Sequence, residues 1–553
     1  MNNFLSAHEL LRRGPKGLTL AVERALWHLG FEDVRVIDGA NDKGADILAV
    51  RDREQWVIQC KWSKSGPIGR AGVDDIERAR SEYRADQAVL ATNTSLNRPA
   101  LQRLAELENV GQKTHVWHGA TLQLLWEKMP DRVPKPTVLR KYQSAAVEAI
   151  ETDLATTGRS LLILATGLGK TVVGAEVISH FLEKHPEADI LVVAHMKELV
   201  DQLEKAVWKQ LRKGVKTQTF HSDSHVSDLA GVTVATIETA LGAMRKGYQP
   251  ALIMVDETHH LGESGMLAAL LELAQDSLQF GVTATPWRGD KFDITRIFGK
   301  PSFSMGIADG LAKGYLAKVD YRMFVDNLDW DMVRDASENS YSIRELNSKL
   351  FLPQRDEQIV DALRDAWNQT TNPRAILFCQ TIDHAERMAR LLQISDPAWE
   401  TATYLHSGLS RQKRQVLLNA FRMGRVQVIT CVDVFNEGVD VPDVNLIGFL
   451  RVTHSRRIFI QQLGRGLRLR NGKTTLRVLD FVTDIRRVAA TLDLKRSLEA
   501  IEVEDLTLAD QSRVTFNDET AGSLLNYWIE DAADLETAAD EVRLNFPSPI
   551  GLD

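Results

Sequence analysis

Leu161-Leu162-Ile163-Leu164-Ala165-Thr166-Gly167-Leu168-Gly169-Lys170-Thr171 decides how the rest of the chain is read. The apolar run reads as a buried parallel strand. It enters a turn closed by Gly169-Lys170-Thr171, and Val172-Val173-Gly174-Ala175-Glu176-Val177-Ile178 then reads as a helix. A strand–turn–helix of this kind brings backbone N–H groups and the positive end of a helix dipole to one point, which suits a triphosphate. Thr166, Gly167 and Gly169 would line the turn. Lys170 would place a point charge on the β/γ-phosphates, and the Thr171 hydroxyl would ligate Mg²⁺. The strict pattern wants a glycine where Leu164 stands, so on its own the stretch also fits a packing element with no ligand.

The residues that follow favour the ligand. Asp189–His195 and Val232–Ile237 read as further buried strands, and Ala251-Leu252-Ile253-Met254-Val255 runs straight into Asp256-Glu257-Thr258-His259. An apolar strand ending in two acids puts them at the carboxyl edge of a parallel sheet, where α/β ligands bind. Asp256 would hold Mg²⁺ through its shell, and Glu257 would polarise the attacking water. Upstream, Gln143 opens a helix after Leu139-Arg140-Lys141-Tyr142, where its amide can read the adenine edge. Downstream, Gln279-Phe280-Gly281-Val282 leads to Thr283-Ala284-Thr285-Pro286, small hydroxyl residues suited to relaying nucleotide state.

This order resembles the superfamily-two helicases with a DExH box, and the resemblance implies a second RecA-like lobe. Strand-like runs at Ala375–Cys379 and Val426–Cys431 lead to Asp433-Val434-Phe435-Asn436-Glu437-Gly438-Val439-Asp440 and on to Gln461-Gln462-Leu463-Gly464-Arg465-Gly466-Leu467-Arg468. Two arginines three apart share a helix face and can reach a phosphate held by the first lobe. The resemblance therefore implies Arg465 and Arg468 as arginine fingers, with Gln461 and Asp440 lining the cleft.

The first part of the chain carries a second chemistry. Leu18, Val22, Ala25, Leu26 and Leu29 mark a helix that includes Glu23. Asp46 begins one strand, and the charged turn Arg51-Asp52-Arg53-Glu54 leads to a second, Trp56-Val57-Ile58-Gln59-Cys60-Lys61-Trp62. Gln59 and Lys61 alternate and share a face. Phosphodiester hydrolysis needs a carboxylate for Mg²⁺, a second oxygen ligand and a cation near the scissile phosphate. Asp46, Gln59 and Lys61 match those needs, with the Cys60 carbonyl as a further ligand, although a surface hairpin presents the same residues. Asp42-x-Gly44-x-Asp46 with Gln59-Cys60-Lys61 resembles the Mrr-type restriction endonucleases, a branch of the PD-(D/E)xK fold in which glutamine often takes the second acidic position. The resemblance runs through Ile68–Val73 and Gln87–Thr92 to Val116-Trp117-His118-Gly119. It implies Asp46 and Gln59 as metal ligands, Lys61 as catalytic, and Glu23 as a helix-borne metal ligand through water.

The expected architecture is α/β throughout. A nuclease domain (1–129), a stiff proline-rich linker (130–138), RecA-like lobe 1 (139–287), a helical bridge or insertion (288–372), RecA-like lobe 2 (373–484) and an acidic helical C-terminal region (485–553) follow in order. At 553 residues the chain exceeds one core. Its 44% hydrophobic and 26% charged content is ordinary for a globular protein. No signal-peptide pattern or spanning apolar run is present, and Cys60, Cys379 and Cys431 lie in strand-like runs without metal-ligand spacing. A reducing cytoplasm and no membrane partner are expected. The net charge of −8 means that DNA contact relies on local basic patches. ATP and Mg²⁺ are the expected cofactors, and duplex DNA is the expected partner. A partner protein or self-association is left open. The expected function is an ATP-dependent helicase or translocase joined to a Mg²⁺-dependent DNA endonuclease, in restriction or antiviral defence. A repair or end-processing helicase–nuclease and an ATP-switched DNA-binding scaffold are the alternatives.

Overall fold

The computed structural model describes residues 3–37, 44–134, 138–221, 229–258, 265–284, 294–306, 309–310, 313–324, 341–342, 356–409, 411–422, 424–432, 444–450, 475–481, 514–516 and 543–544. The chain divides into two compact units. Residues 1–162, 171–282 and 295–302 make the first, and 163–170, 283–294 and 303–553 the second.

The N-terminal domain is a five-stranded sheet in the order β1 (Glu32–Val36), β2 (Ile47–Arg51), β3 (Glu54–Lys61), β4 (Gln87–Thr92), β5 (Thr114–Trp117). The first three strands pair antiparallel and the last three parallel. The β2–β3 turn has φ 54 at Asp52 and 69 at Arg53. Left-handed backbone at both central positions matches the right-handed twist of a hairpin. Helix α1 (Ala7–His28) starts well before the apolar periodicity is visible, with Ser6 capping the Glu9 N–H and a kink at Gly14-Pro15. Its Leu18, Val22, Ala25 and Leu26 pack with Ile47, Ile58 and Val89 of the sheet in one core. Helices α2 (Arg70–Tyr83), α3 (Arg98–Asn109) and α4 (Gly119–Lys128) complete the domain.

Next come α5 (Lys141–Thr157) and a seven-stranded sheet of β6 (Arg159–Leu164), β7 (Ile190–Ala194), β8 (Thr217–Phe220), β9 (Val232–Thr236), β10 (Leu252–Asp256), β11 (Leu278–Thr283) and β12 (Phe303–Met305). The spatial order is β12-β6-β11-β10-β7-β9-β8, and β7 to β11 pair parallel throughout. Helix α6 (Lys170–Lys184) crosses β10 at Gly174, where a Cβ would stand 2.6 Å from the Met254 methyl carbon. Helix α7 (Lys197–Trp208) buries Leu199, Val200, Leu203 and Val207.

Within the first unit, α1 docks on α7 and the segment after it. Arg24 is only 5% exposed. Its guanidinium donates to Thr217 Oγ1 at 3.3 Å and to the carbonyls of Arg212, Lys213 and Val215 at 3.3–3.4 Å, and it lies 4.5 Å from the Phe4 ring centroid. Lys205 pairs with Glu23 at 2.7 Å and Lys16 with Asp201 at 2.8 Å. Lys213 Nζ donates to the Trp126 and Met129 carbonyls, and Lys209 covers the Trp27 ring. The linker expected to be a stiff spacer is itself packed over its described first part. Arg132 donates to Ser179 Oγ and the Gln210 carbonyl, the Lys213 N–H donates to the Asp131 carbonyl, and Val133 is buried.

This face carries two predictions. Arg24→Ala strands several buried carbonyls and should destabilise the first unit by about 2–4 kcal/mol, read as a fall in the urea midpoint. His28, whose Nδ1 lies 3.2 Å from the Pro130 carbonyl, has its pKa pulled to about 4 by burial and by the charges of Arg24 and Lys213. The folded state therefore binds that proton more weakly than the unfolded state. Stability is full above an unfolded pKa of about 6.5 and is lost as pH falls towards 4, by about 2 kcal/mol at pH 5. His28→Gln should flatten the dependence of melting temperature on pH between 7 and 5.

The second seven-stranded sheet runs β16 (Thr403–His406), β17 (Val428–Val432), β15 (Ala375–Phe378), β18 (Leu446–Phe449), β19 (Thr475–Phe481), β13 (Lys318–Phe324), β20 (Val514–Phe516). Its registered pairs are all parallel. Leu377, Leu479, Met388 and Leu392 pack around Trp399, which meets Trp367 edge to face. The stretch 288–372, expected as a helical bridge or insertion, lends a strand and a helix to this sheet's layer among its described residues. β13 pairs with β19 along seven residues, and the helix Asp356–Asn368 buries Ile359, Val360 and Leu363 in this core. Asp320 joins β13 to β19 by accepting from Arg477 at 3.1 Å. The described residues of 485–553 are also strand, not helix. β20 pairs with β13, and β21 (Arg543–Leu544) pairs antiparallel with β14 (Tyr341–Ser342).

Candidate functional site

In the N-terminal domain the antiparallel register of β2 and β3 brings Asp46 beside Gln59 and Cys60. The Asp46 N–H donates to the Ile58 carbonyl, which fixes the start of β2 against the end of β3. Asp46 is 7% exposed and Gln59 5%. Gln59 Nε2 donates to Asp46 Oδ2 at 2.7 Å, and the Cys60 N–H donates to the same oxygen. Gln59 Oε1 is buried and has no hydrogen-bond partner among the described residues. Gly44 closes this corner at φ 91. A Cβ there would stand 2.7 Å from the Asp75 carbonyl oxygen and 3.3 Å from Gln59 Oε1. Any side chain at position 44 would therefore push α2 off the site.

Lys61 ends β3 and donates to Asp75 Oδ2 at 2.8 Å. Asp75, in α2, is missing from the residues singled out by sequence, because only the packing of α2 brings it to Lys61. Its neighbour Asp74 pairs instead with Arg103 and Arg70. Glu23, implied as a ligand through water, is buried and paired with Lys205. The physical reason is that the face of α1 carrying Glu23 and Arg24 packs against α7, where the basic Lys205 meets the acid. Asp42 lies outside the described residues.

A buried carboxylate, a buried amide oxygen lacking a donor and a backbone carbonyl make an oxygen donor set that fits a hard divalent cation. No group of three or more His, Cys, Asp or Glu residues that could hold a metal occurs among the described residues. The set here is one carboxylate plus neutral oxygens, so the two observations agree. All three cysteines are thiols, Cys379 and Cys431 buried.

In the motor, Leu164 is the last residue of β6 and is wholly buried, which accounts for an apolar side chain where the motif's first glycine is expected. Gly167 and Gly169 have φ 94 and 85, and α6 begins at Lys170. The Leu168 N–H closes the turn on the Ala165 carbonyl, and the Ala165 N–H donates to the Met305 carbonyl of β12. Thr166 Oγ1 is buried and has no hydrogen-bond partner among the described residues, which suits a hydroxyl that donates to a phosphate. Lys170 and Thr171 are half-buried at the helix N-terminus. Gln143 is buried, and its Oε1 accepts the Arg140 N–H at 2.9 Å, pinning the start of α5.

Asp256 ends β10 in register with Val282 of β11 and is buried. Glu257 follows at φ 49, left-handed backbone that non-glycine residues seldom adopt. Such strain concentrates at functional sites. Thr258 behind it is wholly buried against Gly281, where a Cβ would stand 2.5 Å from Thr258 Cγ2. Thr285, Asp440, Gln461, Arg465 and Arg468 lie outside the described residues.

The two sheets and their sites define a nucleotide-dependent motor behind a nuclease domain. Comparison with known proteins names the parts. Residues 10–126 match the restriction endonuclease family, 137–288 the type III restriction enzyme res subunit, and 354–470 the helicase conserved C-terminal domain. The chain thus carries the two domains of a superfamily-two helicase after an N-terminal Mrr-type restriction endonuclease domain.

Among relatives, it is 25% identical to IRC3 of Saccharomyces cerevisiae over 69% of this chain and 57% of IRC3. It is 26% identical to the DNA 3'-5' translocase XPB2 of Sulfurisphaera tokodaii over 65% of this chain and 85% of that protein. It is 25% identical to the type I restriction enzyme EcoAI endonuclease subunit of Escherichia coli over 62% of this chain and 46% of the subunit. The match thus spans less than two thirds of several of these proteins. In fold it is similar to the ATP-dependent type ISP restriction-modification enzyme LlaBIII bound to DNA, with TM-score 0.50 and 16% identity over 89% of this chain and 39% of that one. Among the described residues no helix is long and apolar enough to cross a membrane.

Proposed function

We propose that the chain is an ATP-driven DNA translocase that carries its own endonuclease and acts in restriction or defence against foreign DNA in the cytoplasm. Residues 1–129 are the cutting domain and 139–484 the motor. The observation that carries the cutting activity is the buried Asp46–Gln59 pair with a donorless amide oxygen, two residues before Lys61 on the same strand. The motor reading rests on the phosphate turn and on the strained acidic pair at the end of β10.

In the motor, the backbone N–H groups of the turn, with Thr166, Gly167 and Gly169, cradle the nucleotide phosphates. Lys170 holds the β/γ-phosphates, and Gln143 reads the adenine. Thr171 and Asp256 would hold Mg²⁺, Glu257 orients the attacking water, and Arg465 and Arg468, flanked by Gln461 and Asp440, stabilise charge on the transferred phosphoryl group.

In the nuclease, Asp46, Gln59 and the Cys60 carbonyl would hold a Mg²⁺ ion. A bound Mg²⁺ lowers the pKa of water and neutralises charge on the phosphodiester. Lys61 offsets negative charge as it builds on the scissile phosphate. Duplex DNA is the substrate that suits both activities, and their presence on one chain raises the local concentration of each for the other's DNA.

The deciding assay offers linear, circular, single-stranded and modified DNA to the purified protein with Mg²⁺, with and without ATP. Cleavage of at least one duplex form, raised by ATP, is expected. If every form stays intact under all conditions, the nuclease assignment is wrong.

A further inference from the structure

We propose that Asp75 is a positioning residue of the nuclease site, fixing the Lys61 ammonium beside the Asp46–Gln59 pair. The inference rests on the nuclease reading above and adds a residue to it from the other side of the fold.

Lys61 reaches the site on a four-carbon stem whose many rotamers scatter its charge unless a partner selects one. Four observations make Asp75 that partner. Its Oδ2 accepts from Lys61 Nζ at 2.8 Å, while its Oδ1 faces the Arg78 guanidinium at 3.4 Å, so the carboxylate is held from both ends. The backbone of α2 runs along the lysine stem, since a Cβ on Gly72 would stand 3.7 Å from Lys61 Cγ. Gly44 touches both partners of the site at once, its missing side chain lying between the Asp75 carbonyl and Gln59 Oε1. Val73 and Ile76, on either side of Asp75 in sequence, are wholly buried, so α2 cannot slide along the sheet without opening the core.

The pair itself is partly exposed, with side chains 32% and 28% accessible. Ion pairs of that kind contribute little to stability. Placing a charge is the role left to it, and placement to within a fraction of an ångström controls rate.

The test uses the full chain with Asp75→Asn and Asp75→Glu. In metal-free protein, acetic anhydride labelling of Lys61, followed by mass spectrometry, should rise in Asp75→Asn, where no carboxylate covers the amine, and stay near wild type in Asp75→Glu. With Mg²⁺, ATP and linear duplex DNA, single-turnover cleavage should fall about tenfold in Asp75→Asn and recover to within about threefold of wild type in Asp75→Glu. ATP hydrolysis, DNA affinity and melting temperature should be unchanged in both.

The proposal is overturned if Asp75→Asn labels and cuts like wild type while Lys61→Ala is inactive. It is also overturned if cutting and melting temperature fall together and Asp75→Glu restores neither, which is what a purely structural role gives. Failure of the nuclease reading looks different: the wild-type protein then cuts nothing, and Lys61→Ala matches it.

Discussion

Replacing Lys61 with alanine is expected to lower DNA cleavage about a hundred- to a thousandfold, the usual cost of removing one group that stabilises charge in the transition state. The site explains why the effect should be that large. Among the residues assigned to it, Asp46 is an acid and Gln59 and Cys60 offer neutral oxygens, so Lys61 is the only side-chain cation. Arg78 faces the far oxygen of Asp75. ATP hydrolysis should be untouched, since the residues assigned to that reaction all lie after residue 139, outside the nuclease domain. The measurement is paired: single-turnover cleavage of labelled duplex and DNA-stimulated phosphate release, on the same preparation. A Lys61→Ala protein that cuts at the wild-type rate removes this lysine from the mechanism.

Lys170→Ala should abolish ATP hydrolysis, by about a hundredfold or more, through loss of the cation at the start of α6. Folding should survive, because Lys170 is half-buried at a helix end and the turn is closed by backbone contacts at Ala165 and Leu168. Cleavage separates the two activities further. Cutting that depends on translocation should disappear with ATP hydrolysis, while any ATP-independent nicking should persist. Normal phosphate release by Lys170→Ala sinks the motor assignment.

What could be read from the sequence was chemistry carried by neighbouring residues. The turn from Thr166 to Thr171 and the Asp256-Glu257 strand end are contiguous, so their pattern survives without knowledge of the fold. Asp46 and the Gln59–Lys61 run lie on one hairpin, and the period-two alternation of a strand already put Gln59 and Lys61 on one face. Asp75 was beyond reach because it arrives by helix packing at Gly44, and nothing in α2's own pattern marks it. The partner the structure gives Glu23 was out of reach for a related reason. Its partner Lys205 is remote in the chain, and a buried acid on a helix looks the same in sequence whether it faces a metal or an ammonium. β13 escaped because its partner β19 lies far downstream, so nothing in the neighbouring sequence ties its alternating residues to the second sheet.

The docking of α1 on α7, and of the linker's first part on α6 and the segment after α7, bears on where a cut would fall. Nine flexible residues, the length of 130–138, would let a tethered domain wander by about 16 Å root mean square, several base pairs along a duplex. Arg24, Lys205, Lys213 and Arg132 instead clamp the nuclease to the lobe that carries α6 and α7. A nuclease mounted in that way acts as a fixed gauge. Its incisions should keep a constant offset from the motor's footprint, and loosening the clamp should blur that offset into a ladder of neighbouring positions.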